Sequence, residues 1–168
     1  MVKTAIVNEP IQPEAVLRDF PSRVDGACLL FLGVVREQNE GREVTGLQYE
    51  VYEGMAEKTL GDIASEASHR YGTDRITVMH RVGELQVGDV STAIAVATPH
   101  RGEAYDASRY IIEELKRRLP IWKREHYREG DSEWLGAGVD THQAASLPEA
   151  SVGKGSDGKG MKDGREDG

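Results

Sequence analysis

Apolar and polar positions alternate with a period of two in three stretches of this chain and recur with a helical period in two others. Leu47, Tyr49 and Val51 alternate with Gln48 and Glu50, which predicts a half-buried strand. Between Arg75 and Val82 the residues Ile76, Val78, His80 and Val82 share one side. Between Val90 and Thr98 the residues Val90, Thr92, Ile94 and Val96 share a face, and small residues occupy the other, a face on which a helix can lie close. Residues 2–7 read as a short strand. Residues 27–35 are continuously apolar, as expected of a strand covered on both sides, and end at Arg36. The helical stretches are 55–71, with apolar residues at 56, 60, 63, 64, 67 and 71, and a stripe through Ala104, Ala107, Ile111 and Leu115 with Ile112 and Leu119 beside it. Gly61 weakens the first by about 1 kcal/mol relative to alanine. Gly72 stands where a C-terminal cap is wanted, and Pro120 ends the second helix at Leu119. Pro13 opens a helical turn. Asp25-Gly26, Gly83-Glu84-Leu85, Gly88-Asp89 and Glu129-Gly130-Asp131 predict turns. This order of elements predicts an α+β domain over residues 1–138 with a mixed or antiparallel sheet.

Composition changes the picture at the C-terminus. Residues 153–168 contain six glycines among charged and small residues. Residues 139–168 therefore read as a disordered Gly/charged tail, unable to bury enough apolar surface to offset its ordering entropy. The 168 residues suffice for one domain with a sizeable core. A formal net charge of -8 argues against non-specific nucleic-acid or anionic-membrane binding by the whole surface. Seven Lys against fourteen Arg and 29 Asp plus Glu suit either a high-salt habitat or an ordinary acidic protein. The single cysteine, Cys28, lies in an apolar run and reads as a buried structural thiol. It excludes an internal disulfide and a zinc site built on cysteines. No apolar stretch is long enough to span a membrane and no signal-peptide core opens the chain, so the protein reads as soluble and cytoplasmic.

Against this acidic background, residues 97–125 gather His100, Arg101, Lys116, Arg117, Arg118, Lys123 and Arg124, which suggests an anion site. His100-Arg101 follow a strand and precede a helix, where free backbone N–H groups and the helix dipole favour phosphate or carboxylate. Arg101 can grip a phosphate with two hydrogen bonds, and His100 can donate to an anion or move a proton near neutral pH. A capping turn with a surface Arg is the other reading. Lys116 lies at the edge of the apolar stripe, either as a snorkelling side chain or as a partly desolvated amine available as base or nucleophile. Pro120 turns the chain, folding Lys123 back toward the helix or away from it, with Trp122 as an apolar anchor. Arg36 ends a strand, a place for either a functional or a surface arginine. His80 reads as a satisfied core or interface histidine rather than a catalytic one.

Five pieces, in order over roughly residues 5–136, resemble a known family. They are Phe31-Leu-Gly-Val-Val-Arg36 with Asn39; Tyr49-Glu50-Val-Tyr52 with Gly54-Met55-Ala-Glu-Lys58; His80-Arg-Val-Gly-Glu-Leu85 with Gly88-Asp89; His100-Arg101 with Ala104-Tyr105; and Pro120-Ile-Trp-Lys-Arg-Glu125. Together they resemble the large, catalytic subunit of molybdopterin synthase, the MoaE family. The resemblance implies an α/β-hammerhead fold with a second α+β subdomain, and a homodimer within a heterotetramer. Each end of that assembly would hold a small ubiquitin-like sulfur-carrier subunit whose C-terminal Gly-Gly thiocarboxylate enters a pocket. There, sulfur would pass to cyclic pyranopterin monophosphate to form the dithiolene of molybdopterin. The resemblance carries the pocket lysines onto Lys116 and Lys123, and substrate-anion contacts onto Arg36, His100 and Arg101, with no metal and no cofactor. It implies a pocket in two linked halves, His100-Arg101 toward the pterin phosphate and the lysines toward the incoming sulfur. A lysine of lowered pKa there could serve the proton transfers of ring opening and carrier release.

One departure stands out. Family members often carry an arginine shortly after the position of Trp134, reaching the partner subunit's pocket, and here the chain reads Leu135-Gly136-Ala137-Gly138. A non-catalytic docking module for a ubiquitin-like protein could keep the tail groove yet lose Lys116, His100 or Arg101; all three are present. An RNA-binding helix end is disfavoured by the interleaved Glu113, Glu114 and Glu125.

Overall fold

The computed structural model describes residues 1–130 and 132–136. In chain order the elements are β1 (Val2–Val7), α1 (Pro13–Val16), β2 (Ala27–Val34), β3 (Gln38–Asn39), β4 (Arg42–Val51), α2 (Glu53–Tyr71), β5 (Ile76–Arg81), β6 (Gly83–Gln86), β7 (Val90–Thr98), α3 (Arg101–Arg118), β8 (Ile121–Tyr127) and β9 (Glu133–Gly136). They form two sheets. The first has the order β1-β5-β7-β2, with β1 parallel to β5 and the remaining pairs antiparallel. The second runs β3-β4-β8-β9, with β6 also on β4, and is antiparallel. The expected α+β class with mixed and antiparallel pairing is what the chain adopts.

Helices α2 and α3 cover one face of the first sheet. Leu60, Ile63, Ile76, Val78, Ile94, Val96, Ile111 and Leu115 close the main core there. The helical stripes follow the sequence reading, since Ala56, Leu60, Ile63, Ala64 and Ala67 of α2 are buried, as are Ala104, Ala107, Ile111 and Leu115 of α3. Gly72 caps α2 in the left-handed conformation at φ 64°, which a residue with Cβ adopts only with strain. An Ile111→Ala change in this fully buried position costs about 2–5 kcal/mol.

Four expectations are corrected. The long helices pack on the Ile94/Val96 face of β7, and the small-residue face meets only the short α1 region, through Val16 and Ile11 against Ala93 and Ala95. Strand β2 lies at the edge of its sheet, with Phe31 packed on the main core and Leu30 and Leu32 on the second cluster, but Cys28 near its start is exposed, not buried. Gly83-Glu84-Leu85 is not a turn but most of β6, paired with β4 through Leu47 and Leu85; four residues are too few for alternation to register. Trp122 is 40 % exposed and belongs to none of the apolar core clusters among the described residues, because β8 places it on the face opposite Ile121, Lys123 and Glu125. Glu129 and Gly130 form the expected bend. The 139–168 tail lies outside the described residues. No helix among the described residues is long and apolar enough to cross a membrane.

Candidate active site

Pro120 leaves Leu119 extended, with its N–H still bonded to the Leu115 carbonyl, and the chain passes directly into β8. Strand β8 pairs antiparallel with β4, so Lys123 stands opposite Tyr49 and Glu125 opposite Leu47. This places Lys123 and Glu125 on one face of the second sheet, the face that joins Tyr49 and Leu47 to the core. Glu125 is 4 % exposed. Its carboxylate accepts from Lys123 Nζ at 2.6 Å, from the Tyr127 hydroxyl at 2.7 Å and from Asn39 Nδ2 at 2.9 Å. Asn39 Oδ1 in turn accepts from Arg36 Nη2. Burial alone would raise the Glu125 pKa. The hydrogen bonds from Lys123, Tyr127 and Asn39, with the lysine's charge, outweigh it and hold the carboxyl below its ordinary range. Arg36 and Lys123, from different elements, are thus tied to one buried, ionised carboxylate.

Behind this network sit two aromatic groups. The Tyr49 ring meets His80 edge-on at 5.1 Å. Burial drives the His80 pKa down to about 4, against the opposing effect of its Nδ1 contact with the Arg81 carbonyl at 2.9 Å. His80 is therefore neutral at physiological pH, the satisfied core histidine expected. Burial likewise pushes the Tyr49 hydroxyl up, with the Glu125 charge adding to it.

Lys116 ends α3 on an exposed surface and makes no side-chain hydrogen bond or ion pair among the described residues. Of the two readings of Lys116, the partly desolvated amine is not seen in the single chain, where the residue is exposed. Its neighbours Arg117 and Arg118 are neutralised by Glu114, and Arg118 also by Glu66, at 2.5–3.2 Å. Among the described residues, Lys116 is the cation at this helix end that no carboxylate claims.

His100 is the N-cap of α3, with φ -130° and ψ 150° and no side-chain cap bond. His100 and Arg101 are exposed, and neither side chain has a polar partner among the described residues. From Arg101 to Lys116 the helix rises about 22 Å at 1.5 Å per residue. The two linked halves implied by the resemblance are therefore at opposite ends of α3 within one chain. Arg36 and Lys123 are brought together, Lys116 lies at their end of the helix, and His100-Arg101 lie at the other.

Comparisons with known proteins show which family has this sequence and fold. A family model described as "MoaE protein" matches residues 6–118. The chain belongs to the MoaE family. A molybdopterin synthase catalytic subunit from Halalkalibacterium halodurans is 42% identical over 147 residues, covering 88% of this chain and 92% of the relative. A solved molybdopterin synthase structure from Staphylococcus aureus matches with a TM-score of 0.73 at 41% identity, over 78% of this chain and 95% of that one. A solved complex of subunit 1 and 2 of molybdopterin-converting factor from Helicobacter pylori, 19% identical with a TM-score of 0.59 over 84% of this chain and 91% of that one, shares the fold. Sequence reasoning on this MoaE-family chain missed Glu125, Asn39 and Tyr127 as site residues. Asn39 and Glu125 were visible only as motif letters, and nothing in the sequence tells that residues 86 apart share a hydrogen bond.

Proposed function

We propose that this chain is the catalytic subunit of a molybdopterin synthase. It transfers sulfur from the thiocarboxylated C-terminus of a small ubiquitin-like carrier to cyclic pyranopterin monophosphate, in the cytoplasm. The observation that carries the reading is the convergence of Arg36 and Lys123 on buried Glu125, beside an uncommitted Lys116. Both reactants are anionic, a cyclic phosphate and a thiocarboxylate, and a site for them needs cations whose positions are set in advance. Lys116 acts as acid/base or transient nucleophile, and Lys123 stabilises anionic intermediates while Glu125 fixes where its ammonium sits. Arg36, His100 and Arg101 contact the substrate's anionic groups. Residues 1–138 form the catalytic domain.

One chain cannot close His100-Arg101 and Lys116 on the same small molecule across about 22 Å of helix. The protein therefore works as a homodimer in which the His100-Arg101 end of one copy meets the Lys116–Lys123 end of the other. That juxtaposition also supplies the desolvation Lys116 lacks alone. The test mixes the protein with a validated thiocarboxylated carrier and cyclic pyranopterin monophosphate. A dithiolene pterin is expected. Carrier binding without product would instead establish a docking module.

A further inference from the structure

The His100-Arg101 junction has no side-chain tether, yet its backbone is held from three directions. Gly26, just before β2, donates its N–H to the Thr98 carbonyl at 3.0 Å. A Cβ built on Gly26 would lie 2.3 Å from the Pro99 carbonyl oxygen, a backbone atom that cannot swing aside. Thr98, only 1 % exposed, donates its hydroxyl to the His100 carbonyl at 2.6 Å. On the other flank the Ala97 N–H bonds the Arg75 carbonyl at 3.0 Å and the Thr73 hydroxyl bonds the Ala97 carbonyl at 2.7 Å. The turn that carries Gly26 is itself fixed. The Asp25 carboxylate, 2 % exposed, accepts from the Ser22 N–H at 2.7 Å and from Arg75 Nε at 3.0 Å. Residues 97–100 thus sit in a backbone clamp of Gly26, Thr73, Arg75 and Thr98, while the side chains beyond it stay free.

We infer that Gly26 and Thr98 are positioning residues for substrate binding, which set the backbone of residues 99–101 so that His100, Arg101 and the first N–H groups of α3 meet the substrate's phosphate. This rests on the anion-contact reading of His100-Arg101 and extends it to residues that touch no ligand. A hydroxyl bonded to the carbonyl of the N-cap residue restrains the peptide plane between His100 and Arg101, and so the direction in which Arg101 leaves the helix start. The tight approach of Gly26 to Pro99 fixes the same segment from the strand side, where only glycine leaves room.

The test is steady-state kinetics of the synthase, assembled with its thiocarboxylated carrier and with cyclic pyranopterin monophosphate varied. Thr98→Val keeps the shape and removes the hydroxyl. It should raise KM for the pterin about fivefold, the factor for one neutral hydrogen bond, with carrier affinity unchanged within twofold. Thr98→Ser, which keeps the donor, should restore most of the lost affinity. Gly26→Ala should raise KM more, and if it fails to fold the Thr98 pair still decides. On an Arg101→Ala background Thr98→Val should add little, because the two act through one contact. Equal pterin KM for Thr98→Val and the parent, or effects of Thr98→Val and Arg101→Ala that simply add, would overturn the inference. An Arg101→Ala enzyme with unaltered pterin KM would instead overturn the anion-contact reading beneath it.

Discussion

The two ends of α3 present cations in opposite ways. At the C-terminal end, β8 and the loop after β2 supply Lys123 and Arg36 with a buried counter-charge, Glu125, and with Asn39 and Tyr127 to complete its hydrogen bonds. The side-chain positions of Lys123 and Arg36 are set by other side chains, while Lys116 at the same end is untethered among the described residues. At the N-terminal end, His100 and Arg101 are exposed and untethered, and only their backbone is fixed, by Gly26 and Thr98. A pre-paired cation is held in place but partly neutralised. A free one keeps its full charge but needs a ligand to order it, at a cost in side-chain entropy. The first arrangement suits stabilising an anionic intermediate, which tolerates little misplacement of the charge. The second suits a phosphate grip completed on binding.

The contrast is open to attack at several points. Replacing Lys116 should have the largest effect. Lys116→Ala removes the proposed proton-transfer group and should lower kcat by about 10²–10⁴, with thermal stability unchanged because the side chain is exposed. Near-normal sulfur transfer from a thiocarboxylated carrier would remove Lys116 from the mechanism.

The C-terminal end should also be the pH-sensitive one for stability. The folded-state pKa of His80, about 4, lies below the ordinary 6.5. The unfolded chain therefore binds the proton first as pH falls. Stability associated with the neutral ring is complete above pH 6.5 and is lost between there and about 4, amounting to about 3 kcal/mol. Denaturant unfolding of His80→Phe between pH 7 and 4 should show a shallower loss than the parent, and parallel curves would contradict the assignment.

Glu125→Ala leaves Lys123, Tyr127 and Asn39 without their shared acceptor and should cost about 1–3 kcal/mol of stability. It should lower activity beyond that, since Arg36 and Lys123 lose their common reference. Glu125→Gln, which preserves the shape but not the charge, should fall between the two. Arg101→Ala should raise the pterin KM about tenfold while changing stability little, the cost of one charge-assisted contact. Arg101→Lys should recover only part, for want of the planar fork. Smallest is Glu66→Gln, which breaks the exposed Arg118 pair between α2 and α3. It should cost under about 1 kcal/mol and leave sulfur transfer intact.

What the sequence made legible follows from period. Strands β4, β5 and β7 and both long helices carry enough residues for alternation or a stripe to register, and Gly72 and Pro120 mark their ends. Strands β3, β6 and β9 span two to four residues and left no pattern. Cys28 and Trp122 were misplaced for a single reason, that hydrophobicity does not tell an edge strand or an open sheet face from a covered one. The candidate cations were all legible as residue types near element ends. Their grouping was not, because it depends on β4 pairing with β8 and on the length of α3. Both are properties of topology rather than of any local stretch.

That length leads to the most direct test, a complementation between two altered copies. Lys116→Ala and Arg101→Ala chains, differently tagged, are co-expressed, and the mixed dimer is purified through both tags. Each mixed dimer would hold one site with both changes and one with neither, so at pterin concentrations well below the parent KM, where both altered homodimers are slow, it should show about half the parent's sulfur-transfer activity per dimer. Activity no higher than the mean of the two altered homodimers would contradict a site shared between copies.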